Sequence, residues 1–319
     1  MAVRPPGNRQ PRVIVLGDLA LDVVLAPARP PERGTDVPGR VTLRQGGSAA
    51  NVARGLARLG VRVTLVCAVG RDGVGRALVA AVRSAGVAVR AVRVAGAPTA
   101  RIGMLLEAST GERSFVADRG AADRLAPGDL RPGWFAGVDL LHLPAYSLLG
   151  SPLGAAGAAA LALARGAGAR VSLDLASAAP LLAGGRAAAH ALVRAVAPDV
   201  LFTTAAEAAA FLGGATADDL LRFAPVVIVK RGREGATALA RPTAGTGATP
   251  PVAFDVVTRP LASADTTGAG DAFDAAFLAA WLAVPAADAL RPAAVRRAVV
   301  AGHRAAARLL ARPRPELRL

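Results

Sequence analysis

The 319-residue chain has a single cysteine, Cys67, so it can form neither an internal disulfide nor a cysteine-based metal cluster, which suits a cytoplasmic protein. Aromatic residues make up 3% of a chain that is 53% hydrophobic, so any core must be built from Ala, Val and Leu. Lysine is nearly missing: Lys230 is the only one among 38 basic residues. The formal charge of +15 would ordinarily raise nucleic acid as a partner. The arginines are scattered, however, and no aromatic residues are interleaved with them, so no nucleic-acid partner is expected. Convincing membrane segments are absent too. Leu140–Ala164 is uncharged but holds Pro144, Pro152 and many small residues, while Val13–Leu25 carries Asp18 and Asp22 and lacks a cleavage site. No Gly-x-x-x-x-Gly-Lys-Ser/Thr occurs, which argues against a P-loop kinase. No Gly-x-Gly-x-x-Gly follows the first strand, which argues against a dinucleotide-binding dehydrogenase.

What is present is an alternation. Strand-like apolar runs at Val13–Leu16, Val63–Val66, Leu140–Leu143, Val171–Leu173, Val200–Phe202 and Val226–Val229 are mostly separated by segments with helical spacing. Those segments are Ser48–Leu59, Val74–Ala85, Gly154–Gly166, Arg186–Val196 and Ala205–Leu212. Such alternation predicts an α/β fold with a mostly parallel sheet covered on both faces. Ala26–Leu43 and Val87–Phe115 break the pattern with short β-like pieces, and together predict a small appended β-sheet (about 20–45 and 87–120). A hairpin is expected from Ala236–Leu239 and Val252–Val257 around a Gly/Thr/Pro loop, then a long helix from about Pro292 to Ala311. Residues 12–311 form one domain in this reading, after a disordered tail over 1–11.

The stretch with the most chemistry is Asp265-Thr-Thr-Gly-Ala-Gly-Asp271, which leads into the apolar stripe of Ala272–Leu282. Gly268, Ala269 and Gly270 therefore fall where a loop becomes a helix N-terminus, a place where unpaired N–H groups attract an anion. Asp271 beside such a site either caps the helix or takes a proton from an attacking hydroxyl. Elsewhere, Asp22 lies just past the first strand, as a turn residue or a hydroxyl acceptor. Gly46-Gly47 precedes a helix with Asn51 in its first turn, as a tight turn or a close approach to ligand. His142 falls in a buried strand run and reads as a core residue, and the three histidines are too far apart to suggest a metal site.

Asp265–Asp271 resembles the C-terminal signature of the ribokinase (PfkB) family of carbohydrate kinases, and Gly46-Gly-Ser-Ala-Ala-Asn51 resembles its N-terminal signature. The resemblance spans about residues 12–310 and implies a ribokinase-like α/β/α sandwich with a small β lid. It further implies transfer of a phosphoryl group from ATP, with Mg2+, to a primary hydroxyl of a sugar or sugar-like substrate. By it, Asp271 is the base, the amides around Gly268, Ala269 and Gly270 bind phosphate, and Asp22, Gly46, Gly47 and Asn51 hold the sugar. Lys230, Gly232 and Gly235 match the family's nucleotide-phosphate turn, and His303 falls where the family often meets adenine. Glu207 matches a glutamate that positions magnesium through water, although Thr204 stands where the family usually has Asn. Arg101 and Arg119 belong to the substrate-side segment, together with Gly111. The monovalent-cation site of ribokinases has no recognisable counterpart in Arg312–Leu319, so a monovalent cation stays open. A homodimer through the lid is a further expectation, as are two rival readings: a nucleoside kinase, and a catalytically weak ligand-binding member.

Overall fold

The computed structural model describes residues 9–107, 113–241, 251–259, 261, 265–312 and 315–317. Eight strands occupy the N-terminal half: β1 (Arg12–Leu16), β2 (Ala20–Pro27), β3 (Gly39–Gly46), β4 (Arg62–Gly70), β5 (Ala88–Val94), β6 (Arg101–Leu106), β7 (Arg113–Asp118) and β8 (Leu140–Pro144). Five follow: β9 (Arg170–Asp174), β10 (Val200–Thr204), β11 (Val226–Lys230), β12 (Ala236–Ala240) and β13 (Val252–Val256). The helices are α1 (Ser48–Arg58), α2 (Gly73–Ser84), α3 (Leu153–Gly166), the single turn α4 (Ala178–Leu181), α5 (Arg186–Val196), α6 (Ala205–Leu212), α7 (Ala269–Leu282) and α8 (Pro292–Leu310).

Nine strands form one sheet in the order β13-β12-β11-β10-β9-β8-β1-β4-β5, parallel from β11 to β5 and antiparallel at β12 and β13. Side chains of a strand alternate between faces, and here both faces are covered. Val13, Val15, Val63 and Leu65 pack with α1, α2, α7 and α8, whereas Ile14, Leu16, Leu141 and Val171 pack with α3, α5 and α6. The result is a three-layer α/β/α arrangement, as the sequence alternation implies.

Four strands, β3-β2-β6-β7, make the small second sheet. Here the sequence reading needs a correction. Val87–Val94 does not belong to this sheet: β5 pairs in parallel with β4 at the edge of the main one, with α2 as the intervening crossover. Its charged Arg90 and Arg93, three positions apart and so on opposite faces of the strand, mark an edge without saying of which sheet. The expected N-terminal tail also differs at its inner end. Arg9 pairs with Asp139 at 2.6 Å and the Pro11 carbonyl accepts from Arg62 N–H, while residues 1–8, like Gly111 and the loop of the β12–β13 hairpin at 242–250, lie outside the described residues.

A glycine on α8 lets it pack closely on α7. On α8, Gly302 abuts the Phe273 ring of α7; a Cβ there would lie 2.7 Å from ring carbons. Gly302→Val should therefore lower stability by about 1–3 kcal/mol through overpacking. The check is a lower denaturant midpoint at unchanged slope.

Candidate active site

The C-terminal ends of β1, β9, β10 and β11 lie along one edge of the parallel sheet and present Asp18, Asp174, Thr204 and Lys230 there. Crevices outside strand C-termini are where open α/β sheets bind ligands. The N-termini of α1 and α7 meet above the same edge, and their meeting point is Asp271. Its Oδ1 accepts from the Ser48 hydroxyl at 2.8 Å and its Oδ2 from the Asn51 amide at 2.9 Å. Burial pushes the Asp271 carboxyl up to about 6, against the opposing hydrogen bonds from Asn51 and Ser48.

Around it the signature loop has a definite amide inventory. Gly268 adopts a left-handed conformation (φ 79°) as the N-cap of α7. The Ala269 N–H closes a turn onto the Thr266 carbonyl at 3.2 Å, and the Gly268 carbonyl accepts from Ala272. Among the described residues the N–H groups of Gly268, Gly270 and Asp271 have no acceptor. These unsatisfied donors, at the positive end of a 14-residue helix, suit an anion. The small sheet grips the same loop: Arg44 of β3 forms an ion pair with Asp265, and Arg113 of β7 donates to the Thr267 hydroxyl at 2.9 Å.

Lys230 does not present a bare cation to solvent. Its ammonium lies 3.2 Å from Asp174 and 3.0 Å from Asp274, and its side chain is 12% exposed. Burial pushes the Asp274 carboxyl well up, while Lys230 draws that of Asp174 down against its own burial. The trio thus shares one positive charge between two carboxyl groups. It still abuts the anion site, because a Cβ on Gly270 would come within 3.5 Å of the Lys230 ammonium. Asp274 and Ser48 are the residues that sequence reasoning missed. Asp274 stands three positions after Asp271, a spacing that puts both near one face of the helix.

The remaining expected residues divide. Asp22 is buried, and Gly46 makes room for it, since a Cβ there would lie 1.9 Å from the carboxylate. Gly47 (φ 96°) closes onto the Asp18 carbonyl, which a Cβ would meet at 2.5 Å. The protein's own packing therefore demands both glycines. Gly232 and Gly235 close the turn between β11 and β12 through a 3.2 Å backbone bond. Glu207 and Thr204 form a capping box on α6: the Glu207 carboxylate accepts from the Thr204 N–H at 2.7 Å, and the Thr204 hydroxyl from the Glu207 N–H at 3.2 Å. The His303 ring lies tilted against that of Phe273, centroids 5.3 Å apart, and its buried Nε2 has no partner among the described residues. Arg119 lies 3.8 Å from Asp18 and 4.9 Å over the Tyr146 ring, whereas Arg101 pairs with Asp118 in a half-exposed contact. His142 is fully buried against Ser172, as a core residue should be.

Removing the ammonium leaves two buried carboxylates facing one another. Lys230→Met should cost about 3–5 kcal/mol of folding stability. Asp274→Asn, which keeps the side chain's shape and leaves the Lys230–Asp174 pair in place, should cost less. Denaturant titration of the two variants side by side checks the order.

The arrangement matches known proteins along nearly the whole chain. Residues 10–314 fit the profile of the pfkB family of carbohydrate kinases. An ATP-dependent ribose-1-phosphate kinase of Halopiger xanaduensis is 33% identical over 278 residues, covering 85% of each chain. A fructokinase of Klebsiella pneumoniae is 32% identical over 279 residues, covering 84% of this chain and 83% of the other. In three dimensions a ribokinase II candidate from E. coli, in complex with ATP and Mg2+, superposes with a TM-score of 0.78 at 21% identity, covering 96% of this chain and 94% of its own. With both signatures joined at Asp271 and the family profile matched from end to end, this chain belongs to the pfkB family of carbohydrate kinases.

Proposed function

We propose that the enzyme moves the γ-phosphoryl group of ATP to a primary hydroxyl of a sugar or sugar phosphate, with Asp271 as general base. One observation carries the reading: a carboxylate held by Ser48 and Asn51 stands beside amide donors that have no acceptor of their own. Proton acceptor and anion site are then adjacent, as in-line phosphoryl transfer requires.

The chain's residues fit a nucleotide polyphosphate. The amides of Gly268, Gly270 and Asp271 offer donors to phosphate oxygens, and the orphaned His303 Nε2 offers a polar contact on the face of α8 that packs on α7. No group of three or more His, Cys, Asp or Glu able to hold a metal occurs among the described residues. They therefore fit a magnesium ion carried on the phosphates, with Glu207 contributing through water, since one carboxylate oxygen is already tied to the Thr204 amide. Bound in that way, magnesium supplies charge neutralisation on the phosphate oxygens.

The substrate's hydroxyl groups fall to Asp22 and Asn51. As the reacting hydroxyl attacks phosphorus, its proton passes to Asp271, the new O–P bond forms and the bond to the ADP oxygen breaks. The amides meet the charge gathering on the transferred group. Lys230, neutralised by its two carboxylates, fixes the second turn of α7 and acts through the position of Asp271 and its neighbours. The two curated relatives are named for ribose 1-phosphate and fructose. Their common ground, a furanose-sized sugar with a free primary alcohol, is the substrate class proposed here.

ATP consumption measured against sugars, sugar phosphates, sugar acids and nucleosides tests this, with Asp271→Asn as control. The expected result is turnover on a sugar or sugar phosphate that falls by at least about 10²-fold in the variant. Turnover confined to nucleosides would favour the nucleoside-kinase reading, and ATP binding without turnover the ligand-binding one. The pH profile is a separate check. Asp271 works only when ionised, so kcat/KM should fall on the acid side with a midpoint near 6. Ser48 hydrogen-bonds the ionised form and lowers that midpoint, so Ser48→Ala should move the acid limb to higher pH.

A further inference from the structure

Behind the Asn51–Asp271 contact, on the outer side of α1 and α8, lies a groove of about 750 Å³. Two helical stripes wall it, Asn51, Arg54, Gly55 and Arg58 on α1 and Ala305, Arg308 and Leu309 on α8, each with i, i+3, i+4 spacing. Arg312, just past the end of α8, continues the second stripe. The groove touches the phosphate contacts described above only at Gly268 and runs away from His303. At about 100° per residue, its α8 residues lie about 140–240° around the helix from His303. The C-terminal segment closes one side, anchored to the small sheet where Leu317 N–H donates to the Leu43 carbonyl at 2.7 Å.

Its charge is one-sided. Five arginines, at 44, 54, 58, 308 and 312, are among the eighteen residues that line it, in a chain where 38 of 319 residues are basic. The one acid in the lining, Glu316, lies 4.0 Å from Arg40, outside the groove. Arg44 is spent on Asp265 and Arg54 reaches Gln45. Arg58, Arg308 and Arg312 have no carboxylate within ion-pair distance among the described residues. Like charges one turn apart repel, and here two such pairs, 54/58 and 308/312, border the same space. A multivalent anion between them would relieve that repulsion, and guanidinium forks match phosphate oxygens two at a time. At the inner end the amides of Gln45 and Asn51 bond each other, and Asn51 passes the chain of contacts on to Asp271.

We propose that this groove is a second ligand site, adjoining the phosphate and sugar sites at Gly268 and Asn51, that takes a small molecule bearing two or more phosphate charges. Arg58, Arg308 and Arg312 hold the phosphates, and Asn51 and Gly268 at the inner wall put the occupant in contact with the residues that position Asp271.

Inorganic pyrophosphate is the probe, titrated calorimetrically into the full-length enzyme already saturated with ADP. Binding should persist under ADP and weaken by at least tenfold in Arg58→Gln/Arg308→Gln, whose affinity for ADP should be unchanged. Three results would overturn the proposal: no pyrophosphate binding, full displacement by ADP, or undiminished affinity in the double variant. Failure of the kinase reading looks different. ADP would then not bind at all, while the dependence of pyrophosphate binding on the two arginines would still be measurable.

Discussion

The constraint on which the rest depends is a single ammonium shared by two buried carboxylates. Lys230 ends β11, Asp174 ends β9 and Asp274 sits in the second turn of α7, so their contact pins that helix to two neighbouring parts of the sheet edge. Burying such charges stabilises a fold little, because desolvation cancels most of the attraction. Its value here is positional. With Asp274 fixed, Asp271 and the first amides of α7 are placed one turn earlier, against the N-terminus of α1.

Two opposed influences then set the character of Asp271. Burial disfavours its charge, while the Ser48 hydroxyl and Asn51 amide favour it. The balance leaves a carboxylate ionised at neutral pH yet more basic than an exposed aspartate, the range in which a carboxylate accepts a proton effectively. The hydrogen bonds also orient it, so one pair of α1 residues sets both its basicity and its direction.

Much of this was legible in the residues. Arg186–Val196 and Ala205–Leu212 were delimited correctly from periodicity because helical signals are local. The two signatures announced the loop, the helix N-terminus and the family. What escaped was long-range. Asp274 finds its partner 44 residues away and Ser48 finds Asp271 223 residues away, distances at which spacing says nothing. The strand at Ala88–Val94 was visible as a strand, but its sheet is decided by where β4 lies after an intervening helix. Glu207 shows the converse. Its Thr-x-x-Glu spacing with Thr204 spelled out a capping box, a local role that stands beside the one the family resemblance implies for it.

The two arginines that reach from the small sheet into the signature loop bear on how separable the parts of this enzyme are. Arg44 lies directly across from Asp22 in the β2–β3 pairing while holding Asp265, and Arg113 on the far strand holds Thr267. The small sheet and the signature loop are therefore one mechanical piece. A chimaera that exchanged the four-stranded sheet for a relative's, to borrow its substrate preference, would cut both anchors of the loop unless it carried equivalent arginines with it. The small sheet is not a detachable module.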